Sequence, residues 1–173
     1  YSTERPEIGM GGVDWTNVQP TMEEYDKNGV FEQAKEYSDT AVVVLTRAGG
    51  EGPDLPEKLS TDNTYNKTQM GGDVVYTTQS EDAGSDVSYL ELSSREKDMM
   101  ERVNSEFSNV IVIVNSANAM ELGFLNDYEQ IKGAVWCPGT GQAGFNGLGV
   151  ILSGEVNPSA KTSDTFVRDL TAT

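Results

Sequence analysis

One carboxylate of this chain stands in a stretch that neither a helix nor a strand can accommodate. Residues 48–54 read Ala-Gly-Gly-Glu-Gly-Pro-Asp, so Glu51 has a glycine on each side and Pro53 two positions later. Glycine favours turns and proline interrupts regular hydrogen bonding, so the stretch predicts a sharply turned loop. A carboxyl group held there would donate a proton if partial burial or a nearby negative charge raised its pKa. The alternative is a solvated surface glutamate without a chemical role.

The glycine-rich loop follows a predicted strand. Residues 42–44 are three consecutive valines that lead to Thr46 and Arg47, which predicts a buried strand ending just before the glycines. In open α/β sheets, ligands bind beyond the carboxyl ends of the strands. The sequence therefore predicts that Glu51 lies at the edge of a sheet where ligands are bound.

The absence of histidine narrows the chemistry. The 173 residues contain none, which removes a Ser-His-Asp triad, a Cys-His pair and most zinc sites. Cleavage of a glycosidic bond needs two carboxyl groups instead: one donates a proton to the leaving oxygen, and the other attacks or activates water. Glycosidic chemistry is therefore compatible with this composition, with Glu51 as the candidate proton donor.

The charge balance argues against several classes of partner. With 12 basic and 28 acidic residues the net charge is −16, which speaks against nucleic acid and against an anionic membrane surface. No apolar run approaches the roughly 20 residues of a membrane-spanning helix. The single cysteine, Cys137, rules out an internal disulfide and leaves the cellular compartment open.

Two glycine-rich patterns do not predict a cofactor. Residues 139–144 match G-x-G-x-x-G after a predicted strand, but too few residues follow for a dinucleotide-binding domain, so we predict a tight turn with close backbone packing. The loop around Glu51 lacks the lysine of a phosphate-binding loop, and Glu51 and Asp54 would repel phosphate. Their spacing fits no calcium loop either. We expect neither a cofactor nor a metal ion.

A second candidate contact is Trp15, which stands beside Asp14 in a loop-rich N-terminal stretch. An aromatic face next to a carboxylate suits stacking on a sugar whose hydroxyl groups need an acceptor. The alternative is that Trp15 packs against the domain and pins the loop. Residues 57–88 are polar and rich in turns, with a short strand predicted at 73–78, and are either a functional excursion or a surface insertion.

Helical and strand patterns alternate along the chain. Capping boxes at Thr21–Glu24 and Ser93–Glu96 begin two helices, and Gly29 is predicted to break or bend the first of them. Strands are predicted at residues 40–46, 110–114 and 131–136, and further helices at 121–128 and 145–152.

This alternation predicts an α/β fold: one flavodoxin-like domain over residues 1–173, built as a three-layer sandwich around a mostly parallel sheet. Right-handed crossovers would bring the loops after Thr46, Asn115 and Cys137 to the same edge. There is no room for a strand that feeds the first helix, so either the domain begins unusually or its first strand is missing, upstream of residue 1.

Five sequence blocks, in order, resemble the second domain, the α/β sandwich, of glycoside hydrolase family three. That family contains β-glucosidases, β-xylosidases and related exo-acting enzymes. The blocks are R-A-G-G-E-G-P-D at 47–54, L-E-L-S-S-R-E-K-D-M-M at 90–100, V-I-V-I-V-N-S-A-N-A-M-E at 110–121, A-V-W-C-P-G-T-G-Q-A-G-F-N at 134–146 and L-S-G-E-V-N-P-S-A-K at 152–161. Together they extend over about residues 38–166, which is most of the chain.

The resemblance implies a retaining, two-step mechanism whose nucleophile is an aspartate on a separate TIM-barrel domain of the same polypeptide. In many members the acid/base is the glutamate of a G-E-G loop, which corresponds to Glu51 here. Arg47 and Asp54 match flanking positions with sugar-contacting or loop-orienting roles. Leu55 departs from the family, which often has arginine there, and the departure bears on substrate preference.

The resemblance also implies partners and an activity for the larger enzyme. The expected substrate is a β-linked oligosaccharide or glycoside, and because no barrel is present, residues 1–173 alone should be inactive. Assembly into a homo-oligomer is left open. Two alternatives stand beside this interpretation: a non-catalytic sandwich domain that only shapes the sugar pocket, and a free-standing flavodoxin-like domain that binds another ligand.

Overall fold

The computed structural model of the chain describes residues 8–9, 12–14, 19–49, 55–60, 63–67, 73–76, 78–141 and 143–172. In these residues the strands are β1 (Ile8–Gly9), β2 (Gly12–Asp14), β3 (Thr40–Arg47), β4 (Asn63–Lys67), β5 (Asp73–Tyr76), β6 (Asn109–Ser116) and β7 (Ile131–Trp136). The α-helices are α1 (Met22–Lys27), α2 (Val30–Tyr37), α3 (Ser94–Glu106) and α4 (Phe145–Leu152), and short 3-10 helices occupy Ser80–Asp82 and Gly123–Asn126.

The central sheet has the order β3-β6-β7, and both pairings in it are parallel. Strands β3 and β6 pair along their whole length, from Thr40 opposite Asn109 to Arg47 opposite Ser116. Their carboxyl ends therefore meet at one edge of the sheet, together with the end of β7 at Trp136. The predicted α/β fold with a parallel sheet is confirmed, and β3 follows a helix rather than an earlier strand of this sheet in the described residues.

A second sheet has four shorter strands in the order β1-β2-β5-β4, and only the central β2–β5 pair is parallel. Strand β5 confirms the strand predicted near residue 73. The prediction that the N-terminal stretch is irregular is wrong for the residues that form β1 and β2. Two- and three-residue strands are too short to show an alternating pattern in sequence, so only their pairing reveals them.

Both predicted capping boxes are present. The Thr21 hydroxyl accepts a hydrogen bond from the backbone N–H of Glu24 at the start of α1, and the Ser93 hydroxyl accepts one from Glu96 at the start of α3. Gly29 separates α1 from α2 and has a φ of 60°, a left-handed conformation that costs glycine little. The helix break predicted at this position is confirmed.

The two faces of the sheet are covered unequally. Helices α2 and α3 pack on one face against a buried apolar cluster that includes Val43, Val112, Met100 and Val103. On the other face, Ile111 lines a groove of about 540 Å³ that it shares with residues of α4. The apolar side chains that form the covered face of the sheet are Val43, Leu45, Val110, Val112 and Val114.

The valine run of β3 shows this difference directly. Val43 is 5% exposed, whereas its neighbours Val42 and Val44 are 48% and 50% exposed on the opposite face. The expectation that the whole run is buried is therefore wrong for two of its three residues. Successive side chains of a strand point to opposite faces, and in the described residues α4 leaves the β3 part of the second face uncovered.

We expect Val43→Thr to lower the free energy of unfolding by roughly 1–3 kcal/mol, because it buries a hydroxyl group among apolar side chains. The matched substitution Val44→Thr should change it by less than about 0.5 kcal/mol, because that side chain is half exposed and threonine keeps the β-branched shape. Urea unfolding of the two variants measures both values. Equal losses would mean that the second face of β3 is as well packed as the first.

Candidate active site

Loops from three strands converge at the carboxyl edge of the parallel sheet. Side chains at the end of one strand bond to the backbone of the next: Trp136 Nε1 donates to the carbonyl of Ser116 at 2.8 Å, and Asn115 Nδ2 donates to the carbonyl of Cys137 at 2.7 Å. The ends of β6 and β7 are therefore fixed relative to each other. The prediction that the loops after these strands share an edge is confirmed.

Arg47, the last residue of β3, is buried in an ion pair with Glu96 of α3. Its side chain is 2% exposed and that of Glu96 is 1% exposed. Nη1 donates to Oε1 at 2.7 Å and Nη2 donates to Oε2 at 2.6 Å, so the two planar groups face each other as a fork. Burial alone would lower the pKa of Arg47, but the hydrogen bonds and the charge of Glu96 outweigh it and raise this pKa above its ordinary value.

The remaining N–H groups of Arg47 bind backbone carbonyls. Nε donates to Tyr89 at 2.7 Å, Nη1 also donates to Thr46 at 2.7 Å, and Nη2 also donates to Glu91. A guanidinium group has five N–H donors, and all five are used here. Arg47 therefore ties the end of β3 to the turn at residues 89–91 and, through Glu96, to the first turn of α3.

Tyr89 holds both sides of the loop that carries Glu51. Its hydroxyl donates to the carbonyl of Ala48 at 3.0 Å, and its backbone N–H donates to the carbonyl of Glu57 at 3.2 Å. Its ring packs against Leu55. The chain on both sides of residues 50–54 is therefore anchored to the same turn. Burial raises the pKa of the Tyr89 hydroxyl to about 12, so this donor stays protonated at neutral pH.

The residues singled out from the sequence divide into two groups. Glu51, Asp54 and Trp15 lie outside the described residues, and their roles remain predictions. Arg47 lies at the predicted edge, but its partner is Glu96, which the sequence showed only as part of a capping box. Its contacts are those of a loop-orienting residue, and contact of Arg47 with a sugar remains a prediction.

The G-x-G-x-x-G stretch forms the predicted tight turn. Gly141 has a φ of 61°, and the Gly144 N–H donates to the carbonyl of Thr140 at 3.0 Å. A Cβ placed on Gly144 would lie 2.8 Å from Thr140 Cβ, so the two residues approach too closely for a side chain.

In the part of the chain that the structure describes, no cluster of three or more histidine, cysteine or acidic side chains is arranged to hold a metal ion. Nor do these residues include a helix with the length and apolar character needed to cross a membrane.

Lysine in place of Arg47 should test how much of the fold depends on the fork. We expect Arg47→Lys to lower the free energy of unfolding by about 3–5 kcal/mol, because one ammonium group cannot satisfy Glu96 and three carbonyls in this buried site. The control is Arg102→Lys, which alters partly exposed ion pairs with Asp26 and Glu106 and a contact with the Phe31 ring, and which should cost no more than about 1 kcal/mol. Chemical denaturation measures both, and similar small losses would contradict a structural role for Arg47.

A second prediction concerns pH. Folded Tyr89 ionises near pH 12 and an unfolded tyrosine near pH 10, so the unfolded chain loses its proton first and stability falls as pH rises from about 10 to about 12. Tyr89→Phe lacks this group. At neutral pH the variant should be less stable by about 1 kcal/mol, through loss of the bond to Ala48. The difference in the free energy of unfolding between Tyr89→Phe and the wild type should shrink above pH 10. A difference that does not change with pH would contradict the raised pKa of buried Tyr89.

Comparison with known proteins gives the family. The profile of the glycosyl hydrolase family 3 C-terminal domain matches residues 15–173. The chain is 26% identical to a protein named beta-glucosidase from Ruminococcus albus over 163 residues, and the matched region is 94% of the chain. It is 30% identical over 141 residues to beta-glucosidase A from Butyrivibrio fibrisolvens, which covers 82% of the chain.

These two relatives are much longer than the chain. The matched region amounts to 14% of the Ruminococcus albus protein and 16% of the Butyrivibrio fibrisolvens protein. The match to the family nevertheless extends over nearly all of the 173 residues, including every strand of the parallel sheet. The chain therefore belongs to glycosyl hydrolase family 3, to the C-terminal domain of that family.

Proposed function

We propose that this chain is the sandwich domain of a retaining, exo-acting β-glycosidase of the β-glucosidase type, and that Glu51 is its general acid/base. The names of the two relatives support the substrate class, a β-linked glucoside or oligosaccharide. Their greater length supports a second domain in the same polypeptide. We propose that this domain is a TIM barrel that carries the nucleophile.

The observation that carries the proposal is the anchoring of the chain around Glu51. Ala48 is bonded to Tyr89 on one side of the loop and Glu57 is bonded to Tyr89 on the other, at the carboxyl edge of a parallel sheet. Consecutive Cα atoms are about 3.8 Å apart, so the covalent chain keeps Glu51 within about 8 Å of Gly49. A carboxyl group in that region can be presented to a sugar held at the strand ends.

The charge of Arg47 also matters for this chemistry. An unpaired guanidinium close to Glu51 would stabilise the carboxylate and make it a poor proton donor. Both terminal nitrogens of Arg47 bind the carboxylate of Glu96, so the positive charge is neutralised by a partner on α3. This pairing reduces the influence of the Arg47 charge on its surroundings, which supports a proton-donating role for Glu51.

The proposed reaction has two steps. In the first, a carboxylate of the other domain attacks the anomeric carbon while Glu51 gives its proton to the departing glycosidic oxygen. In the second, Glu51 as carboxylate takes a proton from water, which attacks the same carbon and releases the nucleophile. Asp54 and Trp15 are proposed as sugar contacts, and Arg47 as the residue that orients the start of the loop. Residues 1–173 alone should not turn over glycosides.

The test uses Glu51→Ala in the full-length protein. General acid catalysis is worth roughly 100- to 10,000-fold, so glycosides with poor leaving groups should slow by about that factor. Activated aryl glycosides should slow far less in the first step, because their leaving groups need little protonation. Azide should partly restore turnover by attacking the glycosyl-enzyme without a base.

The control is Glu57→Ala, which removes an exposed side-chain carboxylate just beyond the loop but keeps the backbone carbonyl that binds Tyr89, and it should leave both substrate types unaffected. If Glu51→Ala slows both types equally and only slightly, Glu51 is not the acid/base. That result would favour a sandwich domain that only shapes the sugar pocket.

A further inference from the structure

Gly49 approaches the loop after β6 so closely that a side chain on it would displace the side chain of Asn118. A Cβ placed on it would overlap Asn118 Nδ2 and would lie 3.2 Å from Asn118 Cγ and 3.4 Å from Leu55 Cδ2. The φ of Gly49 lies outside the left-handed region. A side chain there is therefore disfavoured by the contact with Asn118 and not by the backbone conformation. The path of the chain toward Glu51 is therefore set by what stands opposite Gly49.

Asn118 is held firmly in that place. Its backbone N–H donates to the hydroxyl of Ser116 at 3.1 Å, and the same hydroxyl donates to the carbonyl of Asn118 at 2.7 Å. Ser116 is 1% exposed and its own carbonyl accepts the bond from Trp136. The backbone of Asn118 is thus fixed through β6 and β7, and only its short side chain can adjust to a change at Gly49.

The Nδ2 atom of the Asn118 side chain is buried here and has no hydrogen-bond partner among the residues that the structure describes. A buried donor without a partner is unfavourable, so folding stability alone gives no reason for an amide here. The sequence does not single out Asn118, because an asparagine after a strand usually indicates no more than a turn.

We propose that Asn118 is a positioning residue for the loop that carries Glu51, and that it acts through its contact with Gly49. The contact fixes the loop at its second residue, where Tyr89 already holds the first through the carbonyl of Ala48. This inference rests on the proposed role of Glu51. A displacement of about 1 Å at a reacting group can cost about 100-fold in rate, so a contact two residues away can control catalysis.

The experiment is a double-mutant cycle in the full-length protein. Gly49→Ala should lower kcat about 100-fold for a glycoside with a poor leaving group, because the new methyl group must push the loop away from Asn118. Asn118→Ala should lower it about tenfold, because the loop loses its support. The double variant should return to the level of Asn118→Ala, since the methyl group then enters the space that the amide has left.

Three further variants separate positioning from general damage. Asn118→Leu keeps the bulk and removes the unpaired donor, so it should retain most of the activity that Asn118→Ala loses. Gly147→Ala places a methyl group in open space and Asn126→Ala removes an exposed amide; both should leave kcat unchanged. In Gly49→Ala the limb of the pH–kcat/KM profile assigned to Glu51 should also shift, which a simple loss of folded protein would not produce.

The inference is overturned if Gly49→Ala is as harmful in the Asn118→Ala background as in the wild type. If Gly49→Ala does not fold, the melting temperature of the double variant decides instead, and failure of Asn118→Ala to restore it overturns the contact. A cycle that shows coupling, while Glu51→Ala shows no dependence on the leaving group, would overturn the role of Glu51. The contact would then stand as a constraint on the loop alone.

Discussion

The fold around the strand ends depends on one buried interaction, the fork between Arg47 and Glu96. Burying two charges is costly, and a pair of this kind is often no more stabilising than apolar side chains of the same volume. Here the arginine also supplies the donors for three backbone carbonyls, which an apolar residue would leave unsatisfied. Glu96 in turn caps α3 through the backbone N–H of Ser93. The pair is therefore better understood as a junction between β3, α3 and the turn at 89–91 than as a stabilising ion pair.

That junction explains how a glycine-rich loop can serve a chemical role. Glycines make a loop easy to bend, but bending is useful only when the ends of the loop are fixed. Tyr89 is bonded to the chain on both sides of residues 50–54, and Arg47 in turn bonds to the carbonyl of Tyr89. The described residues on both sides of the loop are therefore held by hydrogen bonds to one turn, at residues 89–91.

Much of this architecture could be predicted from the sequence because it is local. The capping boxes, the break at Gly29 and the bounds of β7 and α4 follow from residue types within a few positions of one another. The partner of Arg47 could not be predicted, because Glu96 lies 49 positions along the chain and is one of 28 acidic residues with which an arginine could pair. The exposure of Val42 and Val44 was missed for a related reason: an apolar run shows that a strand can be buried, not which face is covered.

Gly29 and Gly49 serve different purposes, although the two glycines look alike in sequence. At Gly49 the space that a side chain would occupy is filled by the side chain of Asn118, from the loop after the adjacent strand. Such a requirement comes from tertiary packing and has no local signature, whereas the left-handed φ of Gly29 can be anticipated from its place between two helical patterns. A glycine can therefore meet either of two constraints, freedom of the backbone or absence of a side chain. The contact at Gly49 is of the second kind, and it joins the loop after β3 to the loop after β6, so that the site is held across the sheet as well as along the chain.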